Sequence, residues 1–164
     1  MRFAMFFRSF IALSFTTLVA IANIASAASK EDVLELAAMV MDESVPALFR
    51  QTYHLSSGEV NGYQAVFICN GKRYTLYNSG ERIRADDPQS AWLAFWVRKN
   101  GTTGQNTLDT FSDDGFDGTV NFGIDGLRER EFITEGTYAT SDEHLPFWQQ
   151  RLDSAVEELL MCNR

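Results

Sequence analysis

Five oxygen-bearing side chains recur at every fourth position along one stretch: Asp109, Asp113, Asp117, Asn121 and Asp125. Calcium takes six to eight oxygens, and short acids and amides beside glycine turns can supply them. Asp113, Asp117 and Asn121, with the Thr119 carbonyl, form the candidate metal loop. The competing expectation is a hairpin tip, where Asp and Gly serve because they tolerate turn dihedrals. Other site chemistry is sparse. The two histidines, His54 and His144, sit near proposed element ends and suit surface or capping roles. The chain has no His-x₃-His or Cys-x₂-Cys spacing, no Gly-x-Ser-x-Gly elbow and no glycine-rich phosphate loop. Its 22 acids will always place some pair at a distance workable for glycoside hydrolysis, so that pairing carries little information. The aromatic group Trp92, Phe95, Trp96 and Trp148 is expected in the core, with a sugar or peptide groove as the alternative.

The acidic stretch is similar to an EF-hand or dockerin-like loop. On that pattern Asp113 takes position 1, Asp117 position 5, Gly118 the glycine, Thr119 position 7 and Asn121 position 9. The resemblance implies calcium binding and covers about a dozen residues. Two departures matter: Gly115 brings no side chain to position 3, and Ile124 stands where a bidentate acid belongs.

Cys69 and Cys162 are the only cysteines. Cys69 ends the strand-like run Tyr63–Cys69, in which Tyr63, Ala65, Phe67 and Cys69 share one face. Cys162 ends a helical stripe of Trp148, Leu152, Ala155 and Leu159. Both sulfurs fall on apolar faces that a helix packed on a sheet would bring together, so a Cys69–Cys162 disulfide is expected. That needs an oxidising compartment. Residues 1–27 are built like a secretory signal: Arg2 and Arg8, an apolar run from Phe10 to Ile24, then Ala25-Ser26-Ala27 before a cut at Ala28. The expectation is a periplasmic or extracellular protein, with residues 28–164 as one globular domain and no membrane span after cleavage. Losing Arg2 and Arg8 leaves 12 basic residues against 22 acids, a net charge of −10. Such a surface argues against nucleic acid and anionic lipid as partners.

Ser29 is an expected helix N-cap, with Asp32 completing a capping box ahead of Val33, Leu36 and Val40. That helix weakens near Ser44 and restarts around Pro46. Ser56–Gly58 and Asn61-Gly62 read as loop. Asn70-Gly71 between Tyr63–Cys69 and Lys72–Tyr77 marks a type I′ hairpin. Ala91–Lys99 is apolar at nearly every position and reads as a central strand covered on both faces, with helix as the alternative. Further strands are expected at Thr107–Phe111, at Thr119–Ile124 and around Phe132, Ile133 and Tyr138. A final helix runs from near Ser141–Pro146 to Met161.

The expected fold is α+β: an N-terminal helix, a curved, mainly antiparallel sheet of about five or six strands, and a C-terminal helix packed on the sheet. Cystatin-like and nuclear-transport-factor-like domains share that layout, an analogy of architecture alone. The functional expectation is an exported, non-enzymatic domain that binds a protein or an envelope component, as an inhibitor or accessory factor. The turns Asn100–Gly104 and Asp113–Gly118 are candidate contact loops. A small carboxylate-dependent hydrolase of envelope polysaccharide or peptide, and a calcium-dependent structural module, are the alternatives.

Overall fold

The computed structural model describes residues 27–79, 91–134 and 142–164. Helix α1 (Lys30–Met41) is followed by strands β1 (Phe49–His54), β2 (Val60–Cys69), β3 (Lys72–Asn78), β4 (Trp92–Lys99), β5 (Asp109–Asp114), β6 (Phe122–Ile124) and β7 (Glu131–Ile133). Helix α2 (Leu145–Asn163) ends the order. Each strand pairs antiparallel with its sequence neighbour, so the sheet is a seven-stranded meander in the order β1 to β7. The class is α+β. None of the helices among the described residues is long and apolar enough to cross a membrane.

Period-two alternation assigns the two faces. Ala65, Phe67 and Cys69 of β2, Tyr74 and Leu76 of β3, Leu93 and Phe95 of β4, Phe111 of β5 and Phe132 of β7 are buried under the helices. From above come Val33, Leu36, Ala37, Met39 and Val40 of α1 and Trp148, Leu152, Ala155, Val156, Leu159 and Leu160 of α2. Trp148 is fully buried because β6 has no side chain at Gly123, and a methyl there would overlap the indole. Ser29 caps α1 as a reciprocal box with Asp32. The disulfide Cys69–Cys162 ties β2 to the last turn of α2 with a Cα separation of 6.1 Å. Beside it, Lys72 Nζ reaches Glu158 Oε1 at 2.5 Å, and the Tyr74 hydroxyl donates to the other oxygen of Glu158. Burial, with that carboxylate beside it, pushes the Tyr74 phenol far above its usual range.

Several local expectations change. The helix restart at Pro46 is instead β1, which raises the strand count to seven. The strand carries no apolar alternation, because it is an edge whose helix-facing side offers Arg50 and an exposed Thr52. Arg50 points under α1, donates to the carbonyls of Met39 (3.0 Å), Val40 (2.5 Å) and Val45 (2.7 Å), and lies over the Phe67 ring. A guanidinium thus closes the helix C-terminus where the dipole favours a cation. Asn61-Gly62 is not loop but the start of β2, with Gly62 leaving room for the Tyr77 ring. The hairpin turn is as expected, with Asn70 (φ 47°) and Gly71 (φ 72°) both left-handed. Residues 92–99 form a strand, but among the described residues helices cover only one of its faces. The Tyr138 position lies outside the described residues.

Candidate functional site

The aromatic quartet divides between the two faces of the sheet. Phe95 and Trp148 belong to the core, whereas Trp92 and Trp96 have the opposite parity on β4 and are half-buried on the other face. Between them Ala94 is small and buried, and it pairs across to Ser112 on β5. Trp96 pairs with Thr110 and Trp92 with Asp114. One strand further, Phe122 of β6 pairs with Ser112. The result is a cleft of about 500 Å³ with a low floor of Ala94 and Ser112 and walls of Trp92, Trp96 and Phe122. On an extended strand, residues four apart stand ~13 Å apart, which sets the span between the two indoles.

The cleft continues toward β1 as a ladder of rings. Tyr77 lies tilted against both neighbours, 5.0 Å from Trp92 and 5.7 Å from Tyr53, centroid to centroid. The ladder is held by hydrogen bonds. Tyr53 donates to Gln64 Oε1 at 2.6 Å, and Tyr77 donates to the Asn61 carbonyl at 3.1 Å while its ring covers the gap at Gly62. Burial raises the Tyr77 phenol above its ordinary value, so the hydroxyl stays a donor at any physiological pH. From the floor of the cleft Ser112 Oγ donates to Asp114 Oδ1 at 3.1 Å. Rigid rings, hydroxyls and one carboxylate on a flat support can stack a ring-shaped ligand and bind its hydroxyl groups. Sequence reasoning did not identify Tyr53, Tyr77 or Phe122 as site residues. The signal was available in strand parity, since Trp92, Ala94 and Trp96 share a face that Phe95 does not.

The candidate metal residues are brought together in one loop, and their oxygens meet backbone N–H groups. Asp113 is fully buried. Its Oδ1 accepts from Asp117 N at 3.1 Å and its Oδ2 from Gly118 N at 2.8 Å. Burial outweighs those two bonds and lifts the Asp113 carboxyl to about 6. Asp117 Oδ1 accepts from Thr119 N at 2.8 Å, and Asn121 Oδ1 from Asp114 N at 2.6 Å. Gln149 of α2 fastens the loop from above, accepting from Val120 N at 3.0 Å and donating to the Gly118 carbonyl at 2.8 Å. Phe116, left-handed at φ 56°, drops its ring into the core. Among the described residues no group of three or more His, Cys, Asp or Glu side chains is placed to hold a metal ion.

Asp109 and Asp125 lie in a separate cluster. Arg151 Nε stands 3.8 Å from Asp109, Arg130 Nε stands 3.7 Å from Asp125, and the two guanidiniums lie 5.0 and 4.3 Å from the centre of the Phe147 ring. Desolvation raises the Asp109 carboxyl. Each acid faces an arginine, which is the pattern of a structural brace between β5, the β6–β7 turn and α2. His54 Nδ1 sits 3.2 Å from the Gly58 carbonyl in the β1–β2 turn, and His144 precedes the first residue of α2. Comparison with protein-family models, with curated proteins and with solved structures finds no match to this chain.

Proposed function

We propose that this chain is an exported, non-enzymatic binding module that holds an oligosaccharide of the cell envelope against its open sheet face. The observation that carries the reading is the cleft of Trp92, Trp96 and Phe122 over the small floor of Ala94 and Ser112. Sugar rings offer an apolar C–H face to an aromatic wall and hydroxyls to Ser112 on the floor and to Thr110 and Asp114 beside it. The rings are already fixed by packing and by the Tyr53 and Tyr77 hydrogen bonds, so little ordering cost falls on binding. The leader-like residues 1–27 and the disulfide are compatible with an envelope location.

The test is sedimentation of residues 28–164 with insoluble peptidoglycan and envelope polysaccharide, followed by titration with soluble fragments while tryptophan emission is monitored. Binding should quench or shift the emission of Trp92 and Trp96. W96A and W92A should each weaken affinity at least tenfold, in line with the ~2 kcal/mol that a well-packed aromatic anchor contributes. Binding that survives in the folded W92A/W96A variant, or no binding to any of these glycans, rejects the proposal.

A further inference from the structure

Strand parity gives the open face of the sheet a charge arrangement of its own. Arg98 follows Trp92, Ala94 and Trp96 on that face of β4, and it pairs across to Arg73 of β3, whose side chain shares the face. Their sequence neighbours Lys72 and Lys99 lie on the helix side, where Lys72 meets Glu158. Directly opposed like charges on neighbouring strands are destabilising. Among the described residues, neither Arg73 nor Arg98 has a carboxylate within ion-pair distance. The chain carries a net charge of −8, so its solubility does not call for two guanidiniums set against each other. From β1 to β6 the charged side chains on this face are Arg73, Arg98 and Asp114. Asp114 stands on the rung of Trp92, ~20 Å from Arg98 at ~3.3 Å per residue of extended strand. The open face is therefore polarised along β4, with a carboxylate at one end, a pair of cations at the other and two indoles between them.

We infer, resting on the glycan reading of the cleft, that its ligand is an acidic saccharide whose ring carboxylate is held by Arg73 and Arg98 while the sugar rings lie against Trp96 and Trp92. Trp96 and Arg98 are two residues apart on one strand, ~7 Å. A ring stacked on Trp96 thus brings a carboxylate at its edge within reach of two long arginine side chains. Each guanidinium is a planar fork that matches the two oxygens of a carboxylate. An acid attached to the ring itself keeps charge and stacking face at a short fixed separation, which is what the spacing of Trp96 and Arg98 demands. An anion between the guanidiniums also relieves their mutual repulsion, so binding gains where the free protein is strained. The overall acidity of the chain does not oppose this, because the Debye length of ~8 Å at physiological salt screens distant acids and leaves the local pair to decide.

The experiment titrates residues 28–164 at physiological salt with oligogalacturonate and oligomannuronate, with the methyl ester of each, and with neutral chito-oligosaccharide. Tryptophan emission and backbone amide NMR shifts report binding. The esters keep the rings and remove the charge. The expected result is that an acid binds at least tenfold more tightly than its ester, with saturable shifts at Arg73, Trp96 and Arg98. R73Q/R98Q should bring the affinity for the acid down to that for the ester. K99Q removes a cation next to Arg98 in sequence but on the other face, and it should leave the preference intact. The unliganded R73Q/R98Q protein should melt at or above the wild-type temperature because the repulsion is relieved, which separates lost binding from lost folding. A neutral glycan or ester bound as tightly as the acids, or an acid preference that survives R73Q/R98Q, overturns the inference and leaves the aromatic cleft standing. Acid binding that survives the folded W92A/W96A variant, or no binding of any of these glycans, overturns the cleft reading and this inference with it.

Discussion

Replacing both cysteines, C69A/C162A, should cost this protein a large share of its stability through the unfolded state. The bridge spans 93 residues of sequence, enclosing β3 to β7 and nearly all of α2. Chain-entropy arithmetic for a loop of that length gives about 4–5 kcal/mol at 25 °C. A domain of this size has on the order of 5–15 kcal/mol in total. The native contacts around the bridge should survive, because α2 is also held by Trp148, Leu152, Val156 and Leu159 in the core and by Glu158 on Lys72 and Tyr74. The variant should therefore retain its near-ultraviolet circular dichroism without denaturant. With a urea slope of about 2 kcal/mol/M, its midpoint should fall by ~2 M. The slope itself should rise, because an unbridged unfolded chain exposes more surface. A midpoint shift equivalent to less than about 1 kcal/mol would refute the loop-closure reasoning. Loss of tertiary signal in plain buffer would refute it in another way, by showing that the bridge holds the native state rather than restricting the unfolded one.

G123A should destabilise the fold by about 1–3 kcal/mol, since the added methyl meets the buried Trp148 indole. Thermal melts would measure this, and W148F should recover part of the loss by vacating space. Asp113 makes stability depend on pH. Its folded value near 6 lies above the ordinary 3.8, so the protonated form is favoured on folding. The stabilisation is complete below about pH 4 and is lost as pH rises through about 6, amounting to up to about 3 kcal/mol for a shift of this size. The difference in unfolding free energy between wild type and D113N, measured from pH 4 to 7, isolates this carboxyl from the others. A flat difference curve would contradict the assignment. S29A should cost about 1 kcal/mol by removing the cap on α1, read as a shift in the urea midpoint.

The elements legible in the sequence were those whose signals are local. Ser29 with Asp32, Asn70-Gly71 and the stripe from Trp148 to Cys162 each announce a cap, a turn or a face within a few residues. The disulfide followed because two such faces carried one sulfur each. Strand β1 escaped because the helix-facing side of this edge strand carries Arg50 and an exposed Thr52, so the apolar alternation that marks a strand is missing. Gly62 looked like a turn signal, but its small size serves Tyr77 one strand away, a requirement set by tertiary packing. The cleft was half legible. Four aromatics were evident, but their division between core and open face depends on whether residues 92–99 alternate as a strand. A helix would have grouped them differently. The acidic loop shows a similar limit, since spacing alone does not reveal that Asp113 is buried with backbone N–H groups on both oxygens.

The neighbour-to-neighbour order of the sheet has a kinetic consequence. Every strand contact is made within a short stretch of chain, so the hairpins can zip up in succession at little loop-closure cost. The helices differ, because α1 and α2 lie more than a hundred residues apart in sequence and still touch each other over the sheet. Loop-closure cost therefore predicts that the meeting of these two distant segments, which also brings Cys162 within reach of Cys69, is slower than hairpin formation, to be checked by stopped-flow refolding.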